Sequence, residues 1–66
     1  MKKTKYKMFF ECTETGYSAF HEDLAVYTTG KNLLELKANS AEALSLYFED
    51  GALEIKESQI ELVFHL

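Results

Sequence analysis

Residues 6–12 open the chain with an alternating pattern. Tyr6, Met8 and Phe10 fall on one side, Lys7 and Glu11 on the other, and Phe9 breaks the alternation. A period of two with this aromatic content predicts a half-buried strand. The polar segment 13–16, ending in Gly16, suits a hairpin loop. Alternation resumes over residues 17–21, with Tyr17, Ala19 and His21 on one face and Ser18 and Phe20 on the other. After a break at residues 22–24, the run A-V-Y-T-T at 25–29 predicts a third short strand, ended by Gly30.

The period then changes to that of a helix. Asn32 is a good N-cap residue, and Glu35 three positions later completes the capping-box spacing. Residues 33–49 contain no Gly or Pro. Leu33, Leu36, Ser40, Ala43, Leu44 and Tyr47 form the expected buried stripe, and Leu34, Ala38, Ala41 and Phe48 widen it into an apolar flank. Asp50 and Gly51 are the expected stop. Residues 53–58 read equally well as a short strand or a loop. Residues 59–66 alternate again, with Ile60, Leu62 and Phe64 facing one way and Glu61, Val63 and His65 the other.

The order is therefore β-β-β-α-β, an α+β fold: one sheet built on an antiparallel meander, with one helix packed on it. The helix returns the chain across the sheet, so the last strand is expected to pair in parallel with the first. Residues 1–66 read as a single domain. A chain this short buries only about 60% of its unfolded surface. Cys12 is the only cysteine, so no disulfide adds to its stability. Self-association is expected for a small core with an uncovered sheet edge.

Charge sharpens this picture. Four of the seven lysines (Lys2, Lys3, Lys5 and Lys7) precede residue 8. From there on, three lysines face all eleven acidic residues, a balance of −8. Such a body is poorly suited to phosphate backbones and attractive to a basic protein. No stretch is apolar enough for a secretory leader or a membrane span, and a lone cysteine fits a reducing compartment, so a cytoplasmic protein is expected.

One ordered set of residues goes further. Gly16, Tyr17, Ala19, Phe20, Asp23 and Leu24 are followed by Thr28, Gly30, Leu33, Glu35, Asn39, Glu42, Ala43, Leu44 and Tyr47. Over about half of the chain this resembles the HicB-like antitoxin family. The chain lacks the proline common before the third strand, has Asn32 where the family usually has threonine, and carries Lys37 where an apolar residue is common. Nothing in it supplies the helix-turn-helix or ribbon-helix-helix segment often appended in the family, so DNA binding is not expected.

The resemblance implies a partial ribonuclease H-like domain without a working nuclease centre. The implied partner is a small basic HicA-like ribonuclease toxin, whose active site the antitoxin covers. His21, Glu22 and Asp23 are the candidate partner-binding residues. An orphan HicB-like domain, acting as an oligomeric adaptor or small-ligand sensor, is the alternative. No cofactor is expected, and catalysis is not expected.

The ribonuclease H association raises the question of a metal-dependent nuclease, which needs clustered carboxylates. Glu11, Glu22, Asp23, Glu35 and Glu42 are the candidates, with Glu35 already assigned to the cap. His21 and His65 lie on different strands with no third ligand of clear spacing, a poor metal pattern. Cys12 has no basic sequence neighbour and reads as an ordinary strand residue. Gly16 and Gly30 lack phosphate-loop spacing.

Overall fold

The computed structural model describes residues 5–48 and 55–65. It contains four strands and one α-helix: β1 (Tyr6–Thr13), β2 (Gly16–His21), β3 (Tyr27–Gly30), α1 (Leu33–Tyr47) and β4 (Ile60–Phe64). A single 3-10 turn, Glu57–Gln59, leads into β4. The strands form one mixed sheet in the order β3-β2-β1-β4. β1 and β2 pair antiparallel, as do β2 and β3, while β4 lies parallel to β1 with Tyr6 opposite Ile60. This is the α+β arrangement expected from the alternation, including the parallel closing strand.

Several boundaries differ from those expected. The first hairpin is tighter, because pairing continues to Thr13 opposite Gly16 and leaves only Glu14 and Thr15 at the tip. β3 starts at Tyr27 and not at Ala25. The reason is a local turn: the Val26 N–H donates to the Leu24 carbonyl at 2.8 Å, a three-residue bend incompatible with extended backbone. Val26 is nevertheless buried. Residues 57–59 form the 3-10 turn, closed by the Lys56 N–H donating to Gln59 Oε1 at 3.1 Å, so the last strand begins one residue later than expected. The expected helix stop at Asp50 and Gly51, along with Glu49, Leu53 and Leu66, lies outside the described residues.

The helix covers one face of the sheet and packs most extensively on β3. Its cap is the expected one: the Glu35 N–H donates to Asn32 Oδ1 at 2.7 Å, and the Lys31 N–H donates to Glu35 Oε1 at 2.7 Å. The buried core joins Met8, Ala19, Val26, Leu36, Ala41, Leu44, Ile55 and Ile60. Around it pack Tyr6, Phe10, Tyr17, Phe48 and Leu62. Two residues expected in the buried helix stripe are nearly half exposed, Leu33 and Tyr47, and Leu34 stands in solvent. Ser45 Oγ accepts the Ile55 N–H at 3.0 Å, tying the helix to the segment before β4.

Two glycines mark close approaches. Gly16 has φ +155°, and a Cβ there would collide with the Gly30 carbonyl oxygen. At Gly30 a Cβ would lie 2.6 Å from the Leu36 nitrogen, so this glycine lets the helix start directly on the sheet.

Candidate partner-binding face

The helix occupies only one side of the sheet. Strand pairing fixes what lies on the other. Phe9 of β1 stands between Phe20 of β2 and Val63 of β4, and Phe20 is next to Tyr27 of β3. These are the alternate positions to Met8, Ala19, Leu62 and Thr28, which face the helix. His65, just past β4, is held by its own N–H, which donates to the Phe10 carbonyl at 2.7 Å.

The side chains form an aromatic cluster. The Phe9 and Phe20 rings are 5.8 Å apart, and the His65 ring meets them edge-on at 6.4 and 5.5 Å. With Glu22 the three rings line a small cavity of about 200 Å³. The register places carboxylates around the cluster: Glu11 beside Ser18, Glu61 beside Lys7, and Glu22 at the end of β2. An apolar centre with a charged margin, Glu11, Glu22 and Glu61 interrupted by Lys5 and Lys7, is thus built on the strands.

His21, Glu22 and Asp23 sit at one edge of this face, with Lys5, Lys7 and Phe9, around a second hollow of about 230 Å³. His21 has a definite structural job there. Its Nδ1 accepts the backbone N–H groups of Asp23 at 3.0 Å and Leu24 at 3.1 Å. This resembles an Asx turn made with an imidazole, and it sets the direction in which Glu22 and Asp23 project. The proton of the neutral ring is therefore on Nε2.

A larger hollow, about 350 Å³, lies between the β1–β2 hairpin and the start of α1 and includes Tyr17, Lys31, Glu35 and Asn39. The helix start there is closed by its own cap, and Asn39 Nδ2 donates to the Thr29 carbonyl at 2.8 Å. The Glu35 carboxylate and the Asn39 amide are therefore engaged within the fold. Among the described residues, no three His, Cys, Asp or Glu side chains converge as metal ligands would, and the five carboxylates of the nuclease question are not brought together. Cys12 is exposed with a free thiol.

The aromatic cluster was missed by reading strands one at a time, because Phe9 looked like a fault in the alternation. Its signal lay in the off-face residues taken together: Phe9, Phe20, Val63 and His65 all fall opposite the core positions. Among the described residues, no helix is long and apolar enough to cross a membrane. No family model, curated protein or solved structure matches the chain.

Proposed function

We propose that the chain is a HicB-like antitoxin-type protein of the cytoplasm. It binds a small basic HicA-like ribonuclease and blocks it by covering its active site, catalysing nothing itself. The observation that supports this reading is the open sheet face, an aromatic centre with Glu11, Glu22 and Glu61 at its margin. Protein interfaces concentrate binding energy in central aromatic residues, while a charged rim sets rate and specificity. A net charge of −4 favours a basic partner. The cavity between Phe9, Phe20, Glu22 and His65, about 200 Å³, is below the roughly 300–1,000 Å³ of small-molecule sites and suits a single cationic side chain of a partner.

The test is co-expression with any small basic protein encoded beside this gene, followed by affinity measurement and a growth assay. A tight complex and rescued growth are expected. Phe20→Ala should weaken the complex by about 2 kcal/mol, roughly 30-fold, as a central aromatic does. The double variant Glu22→Gln, Asp23→Asn should slow association and flatten its salt dependence. A complex indifferent to all three substitutions would place the interface elsewhere. Absence of any complex would overturn the antitoxin reading.

A further inference from the structure

The link from β2 to β3 depends on one ring for its turn. Residues 21–26 contain no glycine or proline to preset the chain direction. Backbone closes the base of the link, where the His21 N–H donates to the Val26 carbonyl at 3.1 Å, and bends its far end, where the Val26 N–H meets the Leu24 carbonyl. Between them, the Asp23 and Leu24 N–H groups both donate to His21 Nδ1, at 3.0 and 3.1 Å. Among the described residues, no other side chain hydrogen-bonds to residues 22–25. The direction of Glu22 and Asp23 therefore hangs on a lone pair of the imidazole.

A proton competes for that lone pair. Neutral imidazole has one donor and one acceptor nitrogen, whereas imidazolium has two donors and no acceptor. The charged ring therefore excludes both bonds, whichever way it is flipped. Imidazole is the side chain that ordinarily changes charge between about pH 5 and 8. The two donors differ in what they lose. The Asp23 bond is exposed, so its N–H passes to water, but the Leu24 bond is partly buried and Leu24 packs against the core. A partly buried donor left without a partner is costly, so residues 22–24 must move to reach water. Charges of both signs surround the ring. Lys5 and Lys7 from the β1 side, and Glu22 and Asp23 from the link itself, share its hollow. Past β4, His65 meets Phe20 at 5.5 Å and shares a cavity with Glu22. Among the described residues, β3 and α1 add no charged side chain to the hollow. Two lysines and two carboxylates act in opposite senses, so the accepted bonds are what separates the neutral ring from the charged one.

We propose that His21 is a proton-operated latch: the neutral ring holds the turn at residues 21–24, and protonation releases it and redirects Glu22 and Asp23. The turn is held at higher pH, where the ring is neutral, and lost as the pH falls. The sheet stays closed, because the His21 N–H on the Val26 carbonyl and the β2–β3 ladder use backbone alone. Movement is thus confined to the link. A basic partner that meets Glu22 and Asp23 binds more weakly in acid, a consequence that rests on the function proposed above. The latch itself belongs to the free chain and is tested there. Its failure leaves the antitoxin reading standing, and loss of that reading leaves the latch.

The experiment is an NMR titration of the ¹⁵N-labelled full chain from about pH 8 to about pH 5.5, above the range where carboxylates ordinarily titrate. At the upper end the His21 ring should be the Nε2–H tautomer. On acidification the Leu24 amide should lose protection against exchange with water, corrected for the intrinsic pH dependence, by about three- to tenfold, the worth of one ordinary hydrogen bond. That loss should share the midpoint of the His21 ring protons, read separately from those of His65. In His21→Asn the protection should stay constant, because the asparagine Oδ1 accepts in the same turn and does not titrate. Circular dichroism verifies the fold of the variant, and the wild-type tautomer and protection test the latch without it. An Nδ1–H tautomer at the upper end would overturn the proposal. So would a Leu24 amide whose protection does not follow His21, or one that loses protection equally in His21→Asn.

Discussion

Ser40 lies fully buried in the core with a hydroxyl that finds no hydrogen-bond partner. A buried polar group left unsatisfied costs about 1–3 kcal/mol, and alanine is also the better helix former. Ser40→Ala should therefore stabilise the protein by about 1 kcal/mol, read as a higher urea midpoint at unchanged slope. A lower midpoint would mean that the hydroxyl is engaged after all. The position was legible as part of the helical stripe, but its unpaired state was not, because pattern reveals which face a residue occupies and not what its oxygen meets. Gly30 shows the same division. Its place at the end of a strand was readable, whereas the close approach of Leu36 that demands a glycine appears only when the helix is seated.

At the scale of elements, α1 owes its start to local chemistry and its burial to tertiary geometry. Replacing Asn32 by alanine removes the acceptor for the Glu35 N–H and should cost about 1 kcal/mol, while Asn32→Asp should be close to neutral. Thermal or urea denaturation of the two variants measures the difference, and equal losses would show that the side-chain oxygen does not matter. Cap and strands were legible because each is written in neighbouring residues, and the parallel closure followed from the crossover that a single helix makes. The fates of Leu33 and Tyr47 were not. A 15-residue helix is about 22 Å long, while the four residues of β3 span only about 13 Å. The helix overhangs the strand it chiefly covers, so residues at its ends stay exposed despite lying on the apolar stripe. The aromatic face shows the complementary failure. Each strand revealed its core side clearly, and the second side took shape only when pairing aligned Phe9, Phe20 and Val63.

For the whole molecule, size makes assembly part of stability. The described core is small, and a chain of 66 residues is expected to be marginal alone. If copies of the chain associate, the melting temperature of the wild type should rise with protein concentration. Differential scanning calorimetry at two concentrations a hundredfold apart checks this, and a concentration-independent wild type would argue for a self-sufficient monomer.

The parallel pairing of Tyr6 with Ile60 also has a consequence in time. A ribosome makes β1 first and β4 last, at about 5–20 residues per second. The nascent β1 thus waits roughly 3 to 11 s for its second neighbour, with the apolar side chains of Met8 and Phe10 only partly covered. During that interval the emerging chain has two strand edges that a finished molecule would not show together, at β1 and at β3. A nascent copy on the same messenger could be captured at the wrong one. The lysines at positions 2, 3, 5 and 7 precede and begin that first strand, where like charge disfavours contact between neighbouring newborn chains.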